Sequence, residues 1–372
     1  MDFAFTEEHD ELRRTVRKFM ETKSDEQAVR RAMQTERGYD EAVWQQMAEQ
    51  LGLQGLIIPA DLGGAGMGFV ELGIVLEEMG RALLCAPYLS TAVLATTTLL
   101  EAGDDASRSE LLPRIAAGEI TATLAAVEKA GRWNPAAIET RAEPDGDLWF
   151  IDGTKEYVVD GHIADVLLVV AQTSEGLGLF RVSSEAVGLQ RTLLPTLDLT
   201  RKLARVQLSR TPATRIGSGG DLLKALDRVE ALASVALAAE QVGGAQRCLE
   251  MSIEYAKTRL QFGRPIGSFQ AIKHRCADML VEVEFAKSAA YHATFTAAGA
   301  NEDDLLTAAN MAKSYCSDAY FHITAETIQV HGGMGFTWEH PAHLYFKRAK
   351  SSSLLFGAPV QHRERLAERI GI

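Results

Sequence analysis

Cysteine is scarce in this chain, and long apolar runs are missing. The four cysteines among 372 residues, Cys85, Cys248, Cys276 and Cys316, stand far apart. None forms a CxxC pair or joins a histidine cluster. That argues against a disulfide scaffold and a zinc site, and leaves buried free thiols in a reducing cytoplasm. No stretch reaches the about 18 apolar residues that a membrane-spanning helix needs. Positive charge is also short: 38 Lys and Arg against 50 Asp and Glu give a net charge of -12. That balance argues against nucleic acid and anionic membrane surfaces as partners, yet leaves room for an anion in a local basic pocket. Internal repeats and low-complexity tracts are absent. The N-terminal stretch MDFAFTEEHDELRR is acidic and amphipathic, unlike a signal or transit peptide.

What is present suffices for a large core. Hydrophobic residues make up 47% of the chain, and its length suits two or three domains. Residues 1–118 carry helical spacing. Asp40 is placed to cap a helix in which Val43, Met47 and Leu51 recur every fourth residue. The loop PADLGGAGMG interrupts the helices with four glycines between Gly63 and Gly68. Helical spacing then resumes through Leu72, Val75, Leu76 and Met79. Near Thr121 the pattern changes. Short apolar or alternating runs separated by Gly, Asp and Ser predict strands over 119–217, with a tight turn at Asp152–Gly153. Helical spacing returns over 218–372, in long segments around Leu226–Thr258, Gln270–Ala298 and Asp304–Val330 that suit a bundle. Helices, strands, then helices make an α+β chain in three segments.

Two blocks carry chemistry. The first is RLQFGRPIGSFQAIKHRCADM, Arg259 to Met279. Arg259 can fork onto phosphate oxygens, and Phe262 can cover a flat ring. Gly263 and Pro265-Ile266-Gly267 turn the chain, and Ser268 is placed to cap a helix that begins with Phe269 and Gln270. The second block is QVHGGMGF, Gln329 to Phe336. Gly332 and Gly333 allow backbone amides to approach a ligand, Gln329 can both donate and accept, and Val330 and His331 lie between them. Taken singly, Arg259 is an ordinary polar helix end and Gly332 an ordinary helix stop. Phe336, Glu339-His340-Pro341 and Lys347-Arg348-Ala349-Lys350 extend the second block. His322, His331, His340 and His343 invite a metal reading, but the last two belong to this loop and no metal is expected.

Together the two blocks resemble the cofactor-contacting motifs of the acyl-CoA dehydrogenase flavoproteins. The resemblance runs along the whole chain, through FTEEHDELRRTVRKF, PADLGGAGMG and DLWFIDGTKEYVVDG in the family's order. It implies an N-terminal helical domain, a middle β-barrel and a C-terminal four-helix bundle, assembled as a dimer of dimers. It implies FAD as cofactor and an acyl-CoA thioester as substrate, desaturated between Cα and Cβ. It also implies an electron-transfer flavoprotein-like acceptor. In such dimers one subunit holds the flavin ring and its neighbour holds the adenosine diphosphate end. Arg259, Phe262, Phe269, Gln270, Gln329, Val330, His331, Gly332 and Gly333 would serve that second role, toward a homologous subunit or a second copy.

The departures from the family pattern concentrate elsewhere. The family's Thr-Glu-Pro-Gly-x-Gly-Ser-Asp loop is replaced by Val127 to Asn134, and its Trp-Ile-Thr by Tyr157-Val158-Val159. The glutamate that takes the α-proton normally precedes Gly357, where Phe356 stands. Its alternative position falls at Ala233, and the arginine for the CoA nucleotide at Ser234. Losing a general base costs about 10²–10⁴ in rate. Glu240, two helical turns past Ala233, is either a relocated base or a packing residue. Four readings stand open: a partner subunit of a hetero-oligomeric dehydrogenase of the steroid type, a self-sufficient dehydrogenase with an unusual base, a non-catalytic acyl-CoA binder, and a flavin monooxygenase.

Overall fold

The computed structural model describes residues 5–129, 131, 133–146, 148–217, 221–299 and 301–372. Helices come first: α1 (Glu7–Lys23), α2 (Glu26–Gln34), α3 (Glu41–Leu51), α4 (Phe69–Arg81), α5 (Thr96–Ala102) and α6 (Asp105–Ala116). Asp40 caps α3 as the spacing predicts, its Oδ1 accepting the N–H groups of Ala42 and Val43 at 2.9 and 3.2 Å. α4 buries Leu72, Val75, Leu76 and Met79. Leu89–Ala95 forms a π-helix between α4 and α5.

Strands follow: β1 (Ala122–Ala125), β2 (Arg141–Asp145), β3 (Leu148–Val159), β4 (Val166–Thr173), β5 (Gly176–Ser183), β6 (Leu189–Leu193) and β7 (Leu203–Ile216). Their pairings close on themselves. β4 meets β5, β5 meets β7, β7 meets β3, β3 meets β2, and β2 returns to β4 at Arg141 and Gln172. Closure removes free edges. β1 shares an edge of β4, in parallel, and β6 shares an edge of β7. Ile151, Val158, Leu167, Val169, Phe180, Val206 and Leu208 fill the interior.

The expected turn at Asp152–Gly153 is not there. β3 runs straight through both residues, and the register slips between Ile151 and Gly153. The pair makes a bulge, with Asp152 Oδ1 accepting the Arg210 N–H of the facing strand at 2.8 Å. The hairpin turn lies earlier, at Gly146, whose φ is 63°.

Helices return as α7 (Leu222–Thr258), α8 (Gln270–Gly299), α9 (Glu302–His331), α10 (Ala342–Leu354) and α11 (Pro359–Arg369). A two-residue hairpin, β8 (Leu260–Gln261) and β9 (Arg264–Pro265), separates α7 from α8. Ser268 does not cap α8. Its hydroxyl donates to the Pro265 carbonyl at 2.7 Å and closes a 3₁₀ turn, so that Phe269 precedes the helix and Gln270 opens it.

Contacts divide the chain into two compact units: Met1–Arg30, Phe69–Leu84 and Ser234–Ile372 form one, and Arg31–Gly68 and Cys85–Ala233 the other. In the first, α4 crosses α7 with backbones nearly touching. A Cβ on Gly80 would lie 1.9 Å from the Glu240 carbonyl oxygen, and one on Gly243 only 1.7 Å from that of Glu77. Only glycine fits this crossing. In the second, β1 is tied to the π-helix by Thr91, whose Oγ1 donates to Ala122 O and accepts from Ala122 N–H at 3.1 and 3.0 Å. Among the described residues no helix is long and apolar enough to cross a membrane.

Candidate functional site

The two motif blocks, about 70 residues apart in sequence, meet at one end of α7 and α9. Tyr255, on the last turns of α7, stacks on His331, the last residue of α9, with ring centroids 4.5 Å apart. One turn on, the Arg259 N–H donates to the Tyr255 carbonyl at 2.8 Å. Arg259 and Gln329 are both exposed there. Phe262 sits at the hairpin tip with φ 52° and is 91% exposed, an unusual state for a large apolar side chain. Phe269 packs edge-on to it at 6.1 Å and carries the Arg264 guanidinium 4.1 Å above its ring. Gln270 is exposed beside them, while Val330 and His331 are buried. Those last two can therefore offer a ligand little beyond backbone.

Gly332 stops α9 with φ 60°. A Cβ on Gly332 or Gly333 would find nothing within 4 Å, so the space beside this backbone is open. An exposed arginine, an exposed glutamine and open glycine backbone are the donor set a pyrophosphate needs, and an uncovered phenylalanine suits a flat ring. The residues fit the adenosine diphosphate end of FAD.

The second candidate region is the turn after α10. Phe356 has φ 59° and Gly357 φ 107°. The Phe356 side chain is buried, at 8% exposure. Both carbonyls of the turn are gripped from below: His362 Nε2–H donates to Phe356 O at 3.0 Å, and Lys313 Nζ donates to Gly357 O at 3.2 Å. Such grip is what a non-glycine residue needs to persist at positive φ. Glu240 is buried and pairs with Arg348, Oε1 to Nη1 at 3.0 Å, and Arg348 also donates to Leu84 O. Its carboxylate is thus tied to a buried cation. Lys347 and Lys350 of the same block lie over the rings of Trp338 and Phe321.

In the β region, Ala130 and Arg132 of the Val127–Asn134 stretch lie outside the described residues. Tyr157 is half-exposed with φ 54°, whereas Val158 and Val159 are buried. The Val159 carbonyl accepts the Thr123 hydroxyl at 2.6 Å. Glu128 anchors the stretch. It accepts from Lys155 Nζ at 2.7 Å, from the Thr140 hydroxyl and N–H at 2.7 and 3.0 Å, and from the Glu139 N–H at 2.8 Å. Burial opposes its charge, but these donors outweigh burial and hold its pKa down to about 2. A depressed carboxylate stabilises above its ordinary pKa, and that stability is lost as pH falls toward about 2. Glu128 thus lowers the unfolding free energy, measured by urea denaturation, by at most about 2 kcal/mol between pH 5 and 3, allowing for solvent screening, and Glu128→Gln removes that part of the pH dependence. An unchanged slope in the variant would show that other carboxylates govern it.

Sequence reading passed over Tyr255 and Lys313, and gave His340 no role beyond its place in the loop. Tyr255 announced itself only as an aromatic one helical turn before Arg259. Lys313, fully buried, is a lone cation in the run AANMAKSYC. Of the cysteines, Cys85, Cys248 and Cys316 are buried free thiols and Cys276 is half-buried. Among the described residues no group of three His, Cys, Asp or Glu side chains could hold a metal ion.

The N-terminal domain model of acyl-CoA dehydrogenases matches residues 6–119, and the C-terminal domain model matches residues 231–371. The chain belongs to the acyl-CoA dehydrogenase family, FAD-dependent oxidoreductases that act on CH–CH groups. It is 36% identical to acyl-CoA dehydrogenase IpdE2 of Mycolicibacterium smegmatis, over 98% of this chain and 99% of that one. It is 38% identical to IpdE2 of Mycobacterium tuberculosis, over 98% of both. Among solved structures, the Tcur3481-Tcur3483 steroid ACAD superposes with TM-score 0.88 at 33% identity, covering 98% of each chain. The ChsE4-ChsE5 complex of Mycobacterium tuberculosis superposes with TM-score 0.89 at 28% identity, covering 100% of this chain and 99% of that one.

Proposed function

We propose that this chain is one subunit of a hetero-oligomeric acyl-CoA dehydrogenase. It supplies the adenosine-end pocket for FAD to a homologous subunit, which supplies the flavin-ring pocket and the base. The observation that carries this reading is a segregation by role. Arg259, Phe262, Gln329, Gly332 and Gly333 are open at one surface. Where the ring-covering motif would stand, Tyr157 is half-exposed but Val158 and Val159 are packed away, and Phe356 fills the base position with buried hydrocarbon. Random decay would not spare one half of a site. Two relatives named as pairs of proteins, the Tcur3481-Tcur3483 steroid ACAD and the ChsE4-ChsE5 complex, support the same arrangement.

The reaction would be α,β-desaturation of an acyl-CoA thioester. FAD, held by Arg259, Gln329 and the Gly332–Gly333 backbone, would supply the hydride acceptor for Cβ. This chain's residues bind the pyrophosphate and adenine and exclude water from them; the α-proton goes to a carboxylate of the partner. The Phe356–Gly357 turn is rigid enough to present a backbone N–H to a thioester carbonyl. Electrons would leave to an electron-transfer flavoprotein-like acceptor in the cytoplasm. Pairing of Glu240 with Arg348 counts against a self-sufficient enzyme using that carboxylate.

The test is flavin content and turnover of the chain purified alone and co-expressed with a glutamate-bearing homologue. Alone, it should hold far less than one FAD per protomer and show no dehydrogenase activity; co-expressed, it should co-purify with FAD and gain activity. A yellow, active homo-oligomer would overturn the proposal. Binding of acyl-CoA with no flavin in any pairing would favour a non-catalytic binder.

A further inference from the structure

We propose that His331 and His340 are positioning residues for the adenosine-end cradle: their ring stack with Tyr255 fixes the Arg259 hairpin against the Gly332–Gly333 backbone, and a proton on His340 releases it. The inference rests on the reading of that cradle given above.

The geometry is continuous. Tyr255 on α7 stacks on His331 at 4.5 Å, and the His340 ring packs against His331 at 4.2 Å, tilted by 46°. His340 leads into α10, and its Nδ1 accepts the Ala342 N–H at 3.2 Å. Three rings thus join the end of α7, the end of α9 and the start of α10. Two of them flank a cradle residue: the Tyr255 carbonyl accepts the Arg259 N–H, and His331 is bonded directly to Gly332.

The contacts also fix the proton positions. His331 Nδ1–H donates to Thr327 O at 2.8 Å. His340 must keep Nδ1 free of hydrogen to accept from Ala342, so its proton sits on Nε2. A second proton would turn that acceptor into a donor facing an N–H, and would place a charge against a buried neighbouring ring.

The groups around His340 do not rescue the charge. They are His331 from α9, Glu26 and Arg30 from α2, and His343 from α10, with Tyr255 of α7 behind His331 and Lys347 beside His343. Glu339 precedes it in the chain. Glu26 alone among those acting on His340 through space favours the proton, while His331, His343 and Arg30 oppose it. Burial, then His331, hold the His340 pKa down to about 4, and burial lowers that of His331 as well. A histidine whose pKa is lowered in the closed state stabilises that state above its ordinary pKa of about 6.5. That contribution is lost as pH falls toward about 4.

The experiment measures the FAD dissociation constant of the assembled complex between pH 7.5 and pH 5, with far-UV circular dichroism followed alongside. Wild-type affinity should fall about tenfold or more by pH 5 while helix content holds. In His340→Asn the amide oxygen can still accept the Ala342 N–H without titrating, so affinity at pH 7.5 should fall with the lost ring contact, but the acid loss should flatten. His331→Ala should weaken FAD about tenfold at pH 7.5. The same acid loss in His340→Asn, or wild-type affinity in a folded His331→Ala, would overturn the inference. Arg259→Ala separates it from its premise. If Arg259→Ala weakens FAD and His331→Ala does not, only the positioning role fails; if neither does, the cradle reading fails with it.

Discussion

Replacing Lys313 by methionine lowers the unfolding free energy by about 3–5 kcal/mol, measured by urea denaturation. The ammonium is fully buried and donates to Ser352 O, Ser353 O and Gly357 O at 3.2, 3.3 and 3.2 Å, and to the Ser317 hydroxyl at 3.1 Å. Helix α10 ends at Leu354, so the first two acceptors belong to its last turn, which has no intrahelical donors left. A cation there also meets the negative end of the helix dipole. Methionine keeps the length and most of the packing but no donor. It strands three buried carbonyls at about 1–3 kcal/mol each, less whatever local relaxation recovers. Lys350→Met, on the exposed side of the same helix, should stay within about 0.5 kcal/mol of wild type. A Lys313→Met variant as stable as that control would remove the capping role. The loss should reach the Phe356–Gly357 turn too, because one of its two carbonyl anchors is gone.

Lys313 marks the limit of what the sequence disclosed. The helical spacing of α3 and α4, the Asp40 cap and the glycine stop at Gly332 were legible because each is written within a few neighbouring residues. Arg259 and Gln329 were legible as chemistry for the same reason. Asp152–Gly153 misled, since one dipeptide serves both a hairpin turn and a bulge, and only the partner strand decides between them. Ser268 misled similarly: its hydroxyl had a carbonyl three residues back as an alternative to the helix ahead. Lys313 was silent because its acceptors lie about 40 residues downstream, and nothing local distinguishes a buried lysine from a surface one. The Tyr255–His331–His340 stack was silent for the same reason. Four histidines were visible in the sequence; their order in space was not.

The pair Glu240 and Arg348 shows how this long-range ignorance bears on function. On sequence alone Glu240, two helical turns past Ala233, was a candidate for a relocated base. Its side chain is 8% exposed and that of Arg348 3%, with 3.0 Å between them. Glu240→Gln removes a charge and leaves the guanidinium buried against a neutral amide, which should cost about 3–5 kcal/mol. Arg348→Met strands the carboxylate and should cost as much. The double variant Glu240→Leu with Arg348→Met should return to within about 1–2 kcal/mol of wild type, because hydrocarbon of similar volume needs no counter-charge. Activity then separates packing from catalysis. In the assembled complex, turnover per folded protein in the double variant should stay within about twofold of wild type. A loss of about 10²–10⁴ with stability restored would make Glu240 the base after all. That result would return the chemistry to this chain, and a subunit that carries its own base no longer needs a partner to take the α-proton.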